Sequence, residues 1–264
     1  MKKVSMFRNA GMCLVAAAAV GMTSTVWAED AKPSDVVWKQ IGAAPGVVGM
    51  AAVGKNLFAC TGDGKLQVCD VSADPVAWTT LGDAPGGVVA MGVAEDKLYV
   101  STDARHNGRL LTRDPVTTNV TWESKVVWED IGHAWCLVAI AGVPGKLYAV
   151  VDTKELGSEP TIMARQTSGA APADAPRGLD GLPWTAGVEN ERRPPVGALA
   201  LTVVDGKFYV ATKEDKLFVG NPTKPDVKWQ EIGEAAGVTM LAGGDGKLFA
   251  VTKSGKLLMW APKH

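Results

Sequence analysis

Residues 232–257 read IGEAAGVTMLAGGDGKLFAVTKSGKL, and residues 131–150 read IGHAWCLVAIAGVPGKLYAV. Both stretches contain IG, an apolar run, a Gly-Lys-Leu step and an aromatic residue, in the same order. Alignment on the tryptophan that precedes each stretch gives five copies, of which the fourth is degenerate; they start at Trp38, Trp78, Trp128, Trp184 and Trp229. The spacings are 40, 50, 56 and 45 residues. A period of about 40 to 50 residues is typical of propeller blades.

Each copy holds three short apolar runs separated by turn residues. In the first copy the runs are VVGMAAV, NLFACT and KLQVCD, with GDG before the last. Valine, leucine and aromatic residues bounded by Gly and Asp indicate strands and hairpins. We take the Trp segment that opens the next copy as a fourth strand, so that the second blade is VVAMGVA, KLYVSTD, GRLLTRD and VVWEDIG. The repeat therefore predicts four-stranded blades.

The two ends of the repeat region set the number of blades. The segment VVWKQIG at 36–42 precedes the first blade, while the last copy contains only three strands. If the N-terminal segment supplies the missing outer strand, the ring closes and protects its strand edges. We therefore predict an all-β fold, a five-bladed β-propeller of four-stranded blades, closed by the N-terminal strand completing the last blade. The five repeated tryptophans would then pack in the wide outer space between blades.

The first 28 residues are predicted to be a signal peptide. Lys2, Lys3 and Arg8 precede an apolar stretch at 10–22, and Val26 and Ala28 provide small residues for cleavage. The apolar stretch of about 13 residues is shorter than the roughly 20 that a membrane-spanning helix needs. The predicted organisation is a signal peptide at 1–28 and a single propeller domain at 29–264, secreted or periplasmic, with no membrane span after cleavage.

Charge and cysteine content exclude some classes of function. Without residues 1–28 the chain carries 24 basic and 28 acidic residues, so it lacks the basic excess of a nucleic-acid-binding protein. Cys60, Cys69 and Cys136 remain, and an odd number excludes complete pairing within one chain. We expect Cys60 and Cys69 on one face of a hairpin, a diagonal step apart. That is near the limit of disulfide reach, and no bridge is expected.

Motifs for catalysis or cofactor binding are absent from the sequence. It contains no HExxH, CxxCH, GxSxG, P-loop, dinucleotide fingerprint or EF-hand loop. The three histidines, His106, His133 and His264, fall on different copies or at the end of the chain, so we predict no metal site and no cofactor. Asp63, Asp96, Asp205 and Asp245 precede Gly or Lys in tight turns, which accounts for them without catalysis. The chain is therefore not predicted to be an enzyme.

The unit W-x-x-I-G-x-A-x-G-V…G-K-L-Y-A-V…K-L resembles the repeat of the tachylectin-2-like, tectonin-related propeller lectins, in which W…IG…GGW is followed by an apolar strand, G-x-LYAV and KLYK. The resemblance covers nearly all of 29–264 and implies carbohydrate binding. Those lectins carry an aromatic residue in each loop after IG. The corresponding loops here read AAPG, DAPGG, HAWC and EAAG, where Trp135 is comparable but one residue out of register.

Propellers usually bind ligands on the face where the loops from fourth to first strand and from second to third strand meet. Our candidate ligand-binding residues on that face are Asp83, Arg105, His106, Asn107, His133, Trp135, Arg192 and Glu234. His133 and Trp135 form either a sugar-stacking or peptide-anchoring corner, or a capped blade junction beside a solvated histidine. The leading hypothesis is a non-catalytic module that binds a glycan. The alternatives are a protein–protein interaction scaffold of the cell envelope and a propeller hydrolase, and the sequence leaves the ligand and the oligomeric state open.

Overall fold

The computed structural model describes residues 36–102, 108–114, 127–134, 136–152, 160–168, 184–186, 193–221 and 227–262. The chain divides into two units, Met1–Ala31 and Lys32–His264, and every described residue belongs to the second. Within these ranges no helix has the length and apolarity that a membrane crossing requires.

The described ranges contain twenty strands in five antiparallel sheets of four strands each. The innermost strands are β2 (Val47–Val53), β6 (Val88–Ala94), β10 (Leu137–Val143), β14 (Ala198–Val204) and β18 (Val238–Gly244). The second strands are β3 (Asn56–Thr61), β7 (Lys97–Thr102), β11 (Lys146–Val151), β15 (Lys207–Thr212) and β19 (Lys247–Thr252). The third strands are β4 (Lys65–Asp70), β8 (Arg109–Arg113), β12 (Thr161–Gln166), β16 (Lys216–Gly220) and β20 (Lys256–Trp260). The outer strands are β5 (Thr79–Asp83), β9 (Glu129–His133), β13 (Thr185–Ala186), β17 (Gln230–Glu234) and, in the fifth blade, β1 (Lys39–Ala43).

The sheets form a closed ring. Each innermost strand contacts the innermost strand of the next blade, and β18 of the fifth blade contacts β2 of the first. The N-terminal strand β1 pairs antiparallel with β20, with Lys39 opposite Met259 and Ala43 opposite Lys256. The predicted five-bladed propeller and its closure by the N-terminal strand are therefore confirmed.

The hairpins between innermost and second strands follow the chemistry of their turn residues. The turns Glu95-Asp96, Asp205-Gly206 and Asp245-Gly246 have positive φ at both positions, as type I′ turns require. The predicted turn role of Asp96, Asp205 and Asp245 is confirmed. Asp63 lies in the turn between the second and third strands of the first blade, where it accepts a hydrogen bond from the Thr61 hydroxyl.

The repeated IG dipeptide marks a bulge in the outer strand. In the first blade Gly82 lies opposite Leu66 and Thr80 lies opposite Gln67, so Leu81 is the extra residue. The equivalent shift occurs in β1, β9 and β17. Gly82 has a φ of 153°, which glycine adopts easily because it has no Cβ. The fourth copy, which lacks IG, forms an outer strand of only two residues, β13.

The outer strands begin one residue after each repeated tryptophan, although we predicted the tryptophan within the strand. Trp78 and Trp128, for example, directly precede β5 and β9. The tryptophan residues therefore lie outside the outer strands, and their rings pack between neighbouring blades. Each interblade cluster combines residues of two neighbouring blades; Phe249 of the fifth blade, for example, lies in one cluster with Leu57, Cys69 and the partly buried Trp78 of the first. Interblade packing of large apolar side chains thus stabilises the ring.

Candidate functional site

One end of the ring, which we call the mouth face, is formed by the loops that join each outer strand to the innermost strand of the next blade. Residues 44–46, 84–87 and 235–237 are three of these loops. The turns between second and third strands, such as 62–64 and 213–215, lie at the same end because adjacent strands are antiparallel. This is the face on which the sequence predicted a ligand site.

Every innermost strand carries a β-bulge near the mouth face. The register against the second strand shifts between Val47 and Gly49 in β2, and the other four innermost strands shift at the equivalent place. A bulge leaves one residue without a cross-strand partner and bends the strand locally. The five bulge residues are Val48, Val89, Val138, Leu199 and Thr239.

The bulge residues line a cavity of about 340 Å³ at the opening of the central channel, the mouth cavity. Its wall is aliphatic. Among the described lining side chains Thr239 supplies the one hydroxyl, which donates a hydrogen bond to the backbone carbonyl of Val251 at 3.1 Å. Met240 stands where the other strands have Gly or Ala, so the cavity is not five-fold symmetric.

Five large buried residues line the floor of the mouth cavity: Met50, Met91, Ile140, Leu201 and Leu241. All but Leu201 also line a second cavity of about 110 Å³ further along the channel. Around that lower cavity the backbones approach closely. A Cβ on Gly142 would lie 2.0 Å from the Val93 carbonyl oxygen, and one on Gly243 would lie 2.1 Å from that of Val203. The channel therefore narrows below the floor.

The loops around the mouth cavity expose further apolar surface. Val196 is 86% exposed in the loop that enters β14, and Pro45 and Ala236 are exposed in the loops that enter β2 and β18. Exposed apolar residues next to an apolar cavity form a larger patch than isolated surface residues do. Such a patch is typical of an interaction surface.

Three of the predicted site residues lie at the ends of outer strands, one on each of three blades: Asp83, His133 and Glu234. The fold therefore distributes them around the rim and does not gather them into one site. Their backbone carbonyls have a structural role, since each accepts a hydrogen bond from the indole of a repeated tryptophan. Five such bonds, of 2.7 to 3.3 Å, join neighbouring blades: Trp38 to Glu234, Trp78 to Ala43, Trp128 to Asp83, Trp184 to His133 and Trp229 to Arg193.

The side chains of these rim residues lie opposite basic residues that open the third strands. Asp83 faces Lys65 across the ladder, and their side chains form an ion pair of 2.8 Å. The hydrogen bond from Lys65 to Asp83 and the charge of Asp83 raise the pKa of Lys65. Glu234 faces Lys216, whose pKa is raised chiefly by a hydrogen bond to Glu231, 2.6 Å away.

In the second blade, His133 lies opposite Arg109 and beside a polar cluster. Arg109 pairs with Asp130 at 2.6 Å, and the Gly132 amide donates to the same carboxylate at 3.0 Å. Burial alone would raise the pKa of Asp130, but these two hydrogen bonds and the charge of Arg109 lower it below its usual value. Asp130 is thus ionised across the physiological pH range.

Arg105, His106, Asn107, Trp135 and Arg192, the other predicted ligand-binding residues, lie outside the described residues. The proposed corner of His133 and Trp135 therefore stays a prediction.

Two arginines are buried between blades near the opposite end of the ring. Arg113 is 7% exposed and Arg165 is 4% exposed, and they occupy equivalent positions opposite Leu98 and Leu147. Arg165 donates to the Ile131 carbonyl, but its Nε and Nη1 groups have no acceptor. Burial lowers the pKa of both guanidinium groups. Sequence reasoning missed both residues.

Cys60 and Cys69 are separate buried thiols, and our expectation that they share a face was wrong. Cys60 lies opposite Leu66 and Cys69 lies opposite Leu57, so the two are offset by three residues and lie on opposite faces of the first blade. They accordingly belong to different core clusters. Burial raises the pKa of each thiol to about 12. Cys136 is a free, half-buried cysteine beside the third blade.

Within the described ranges no group of three or more His, Cys, Asp or Glu side chains could hold a metal ion.

The mouth cavity is the feature that sequence reasoning missed, because we sought polar residues in the loops. The signal was present in the innermost strands, which start with VV, VV, LV, AL and VT.

No protein-family model and no curated protein matches this chain, so membership of the tectonin-related lectins stays a prediction. A PQQ-bound aldose sugar dehydrogenase from Streptomyces coelicolor is 12% identical, with a TM-score of 0.48 over 84% of this chain and 97% of that one. Myxococcus xanthus glutaminyl cyclase is 13% identical, with a TM-score of 0.48 over 84% and 92%. The WD40 propeller domain of Doa1 is 11% identical, with a TM-score of 0.46 over 86% and 97%. None of these likenesses assigns a ligand or an activity.

Proposed function

We propose that this propeller is a non-catalytic binding module that holds a protein partner on its mouth face. The observation that carries the proposal is the apolar cavity of about 340 Å³ at the centre of that face, surrounded by exposed apolar loop residues. Contiguous exposed apolar surface of this kind marks interaction sites on folded proteins. The centre of a protein–protein interface is likewise apolar and depleted in charge.

The polar groups at the rim support a protein partner over a highly charged one. Among the described rim residues, basic and acidic side chains pair with one another, as Lys65 does with Asp83 and Lys216 with Glu231. A rim of paired charges provides no strong field of one sign. Partner choice then depends on shape and apolar burial.

Glycan binding, the leading hypothesis from the sequence, is the competing function. Sugars are commonly held by aromatic platforms with polar groups at the edge, and the repeated tryptophans are committed elsewhere. Their rings lie between blades and their indole N–H groups donate to backbone carbonyls. Among the described loops after IG no residue is aromatic, so a sugar site would depend on Trp135.

We also propose that the module works outside the cytoplasm, because residues 1–28 have the charge and apolarity of a signal peptide. Mass spectrometry of the protein purified from its native cells tests this. A mature N-terminus at Glu29 in an extracytoplasmic fraction supports the proposal, and an intact N-terminus in the cytoplasm overturns it.

The binding function is tested with purified 29–264 on a peptide array and a glycan array, using two matched variants. Val196→Asp places a charge on the mouth face. Val127→Asp changes a valine that is 73% exposed at the opposite end of an outer strand. Peptide binding that Val196→Asp abolishes and Val127→Asp preserves supports the proposal. Binding that free saccharides compete away supports the glycan module, and silence on both arrays overturns both.

A further inference from the structure

We propose that the mouth cavity is a single anchoring pocket for one large aliphatic or aromatic side chain of a bound peptide segment. This inference rests on the proposed protein-binding function and names the chemistry that the partner must supply.

The wall of the cavity favours an apolar group. Its bulge residues are three valines, a leucine and a threonine whose hydroxyl is already bonded to Val251. The floor consists of two methionines, an isoleucine and two leucines, all buried. A polar side chain that entered here would lose water and find one partner among these side chains, the oxygen of the Thr239 hydroxyl.

The cavity has room for one large side chain. Its volume of about 340 Å³ is at the lower end of the roughly 300–1,000 Å³ typical of ligand pockets. The lower cavity of about 110 Å³ follows it along the channel, and Met50, Met91, Ile140 and Leu241 line both.

The backbone of the wall favours a peptide over a hydrocarbon chain. Each innermost strand is the edge of its sheet and pairs on one side only. Alternate peptide groups of such an edge are free to bond a partner. The amides that flank an inserted side chain can use these groups, whereas an acyl chain cannot.

The position of the cavity fixes the stoichiometry and the selectivity. It lies at the centre of the ring, so one chain offers one pocket. Met240 replaces the Gly or Ala of the other four strands and makes the wall uneven. A flexible methionine adapts to the shape of its neighbour, so we assign Met240 as the residue that adjusts the pocket to the anchor.

The experiment uses blocked amino acids as probes and methyl-¹³C methionine as the reporter. Met50, Met91 and Met240 line the cavity, while Met163 and Met259 lie on the third strands β12 and β20, away from its lining, and serve as internal controls. N-acetyl-leucinamide and N-acetyl-phenylalaninamide should shift the three cavity signals with one saturable site and leave Met163 and Met259 unchanged. N-acetyl-serinamide should bind at least about tenfold more weakly, the selectivity expected from burial of a large apolar side chain.

Variants link the signals to the cavity wall. Val138→Asp should weaken leucinamide binding at least about tenfold, and Val127→Asp should leave it unchanged. Val89→Thr, which keeps the shape of valine and adds one hydroxyl, provides a milder change if Val138→Asp fails to fold. Three results would overturn the pocket. The first is serinamide binding as strong as leucinamide binding, and the second is an equal shift of all methionine signals. The third is leucinamide binding that survives both wall variants. Array binding that depends on Val196 but not on Val138 or Val89 leaves the binding function standing and removes the anchor.

Discussion

The indole N–H of Trp38 donates a hydrogen bond of 2.9 Å to the backbone carbonyl of Glu234, a residue 196 positions further along the chain. It is one of the five tryptophan bonds between blades, and here it secures the strand that closes the ring. Trp38 also packs against Trp260, with ring centroids 6.2 Å apart. The N-terminal strand is thus held by its ladder with β20, by one indole bond to the fourth blade and by ring packing.

Replacement of Trp38 by phenylalanine should lower the free energy of unfolding by about 1 kcal/mol, the usual worth of one such hydrogen bond, with a further loss from the smaller ring. Urea denaturation measures the change. Trp260→Phe is the matched control. It shrinks a ring in the same cluster, and the structure gives its indole no acceptor among the described residues. Equal losses in the two variants would show that the Trp38 bond contributes nothing to closure.

Replacement of Gly142 by alanine should destabilise the ring severely, by about 3 kcal/mol or more, because the added Cβ would meet the Val93 carbonyl at 2.0 Å. Backbone, and not a flexible side chain, occupies that position. Gly86→Ala is the control, since a Cβ there meets nothing within 4 Å. Thermal unfolding of both variants measures the effect. A mild cost for Gly142→Ala would mean that the innermost strands are further apart than described.

Alkaline pH should destabilise the fold through Cys60. Its thiol has a pKa of about 12 in the folded protein and 9.0 as the reference value for an unfolded chain. Below pH 9 the thiol is neutral in both states and its contribution is fully present. Between about pH 9 and 12 only the unfolded thiol ionises, so stability falls as pH rises, by at most about 1.4 kcal/mol per pH unit.

The Cys60 contribution is isolated by comparing wild type with Cys60→Ala in urea titrations from pH 7 to 11. The two should differ by a constant amount up to about pH 8.5, and the variant should lose stability less steeply above it. Lys65, Lys216 and Tyr209 titrate in both proteins and cancel in the difference. Parallel curves throughout the range would contradict the burial of this thiol.

Replacement of Arg165 by methionine should leave stability unchanged or raise it by about 1 to 3 kcal/mol. Among the described residues, no carboxylate bonds to the buried charge of Arg165, and its Nε and Nη1 groups have no acceptor. Removal of such a charge in favour of an apolar side chain of similar length often stabilises a protein. The melting temperature measures the effect. A large loss of stability would show that these N–H groups are satisfied in solution, for instance by bound water or an anion.

Much of the architecture was predictable because it repeats. The innermost strands VVGMAAV, VVAMGVA and LVAIAGV were predicted with the same residues that β2, β6 and β10 contain. The closure by β1 followed from counting strands. The bulges of the innermost strands were not predicted, since a bulge is a relationship between two strands and these apolar runs carry no motif that marks one.

The position of the loops was predictable, because antiparallel pairing places the loops after the outer strands and the second strands at one end of the ring. That this end binds a ligand stays a prediction, and the residues chosen for it were polar. Asp83 and Glu234 face Lys65 and Lys216 because third and outer strands pair in a register that depends on the IG bulge. The burial of Arg113 and Arg165 depends on the neighbouring blade, which no window of the sequence contains. The partners of Asp83 and Glu234 and the burial of the two arginines thus depend on contacts between segments that are distant in the sequence.

The five inner-strand bulges also make the protein suitable for engineering. A bulge residue has no cross-strand partner, so its side chain can change while the ladder on either side keeps its register. Positions 48, 89, 138, 199 and 239 therefore form five variable points around one small chamber, on a ring that is stabilised by packing between its blades. Combinatorial randomisation of these points should give a family of receptors with differently shaped chambers on one unaltered scaffold.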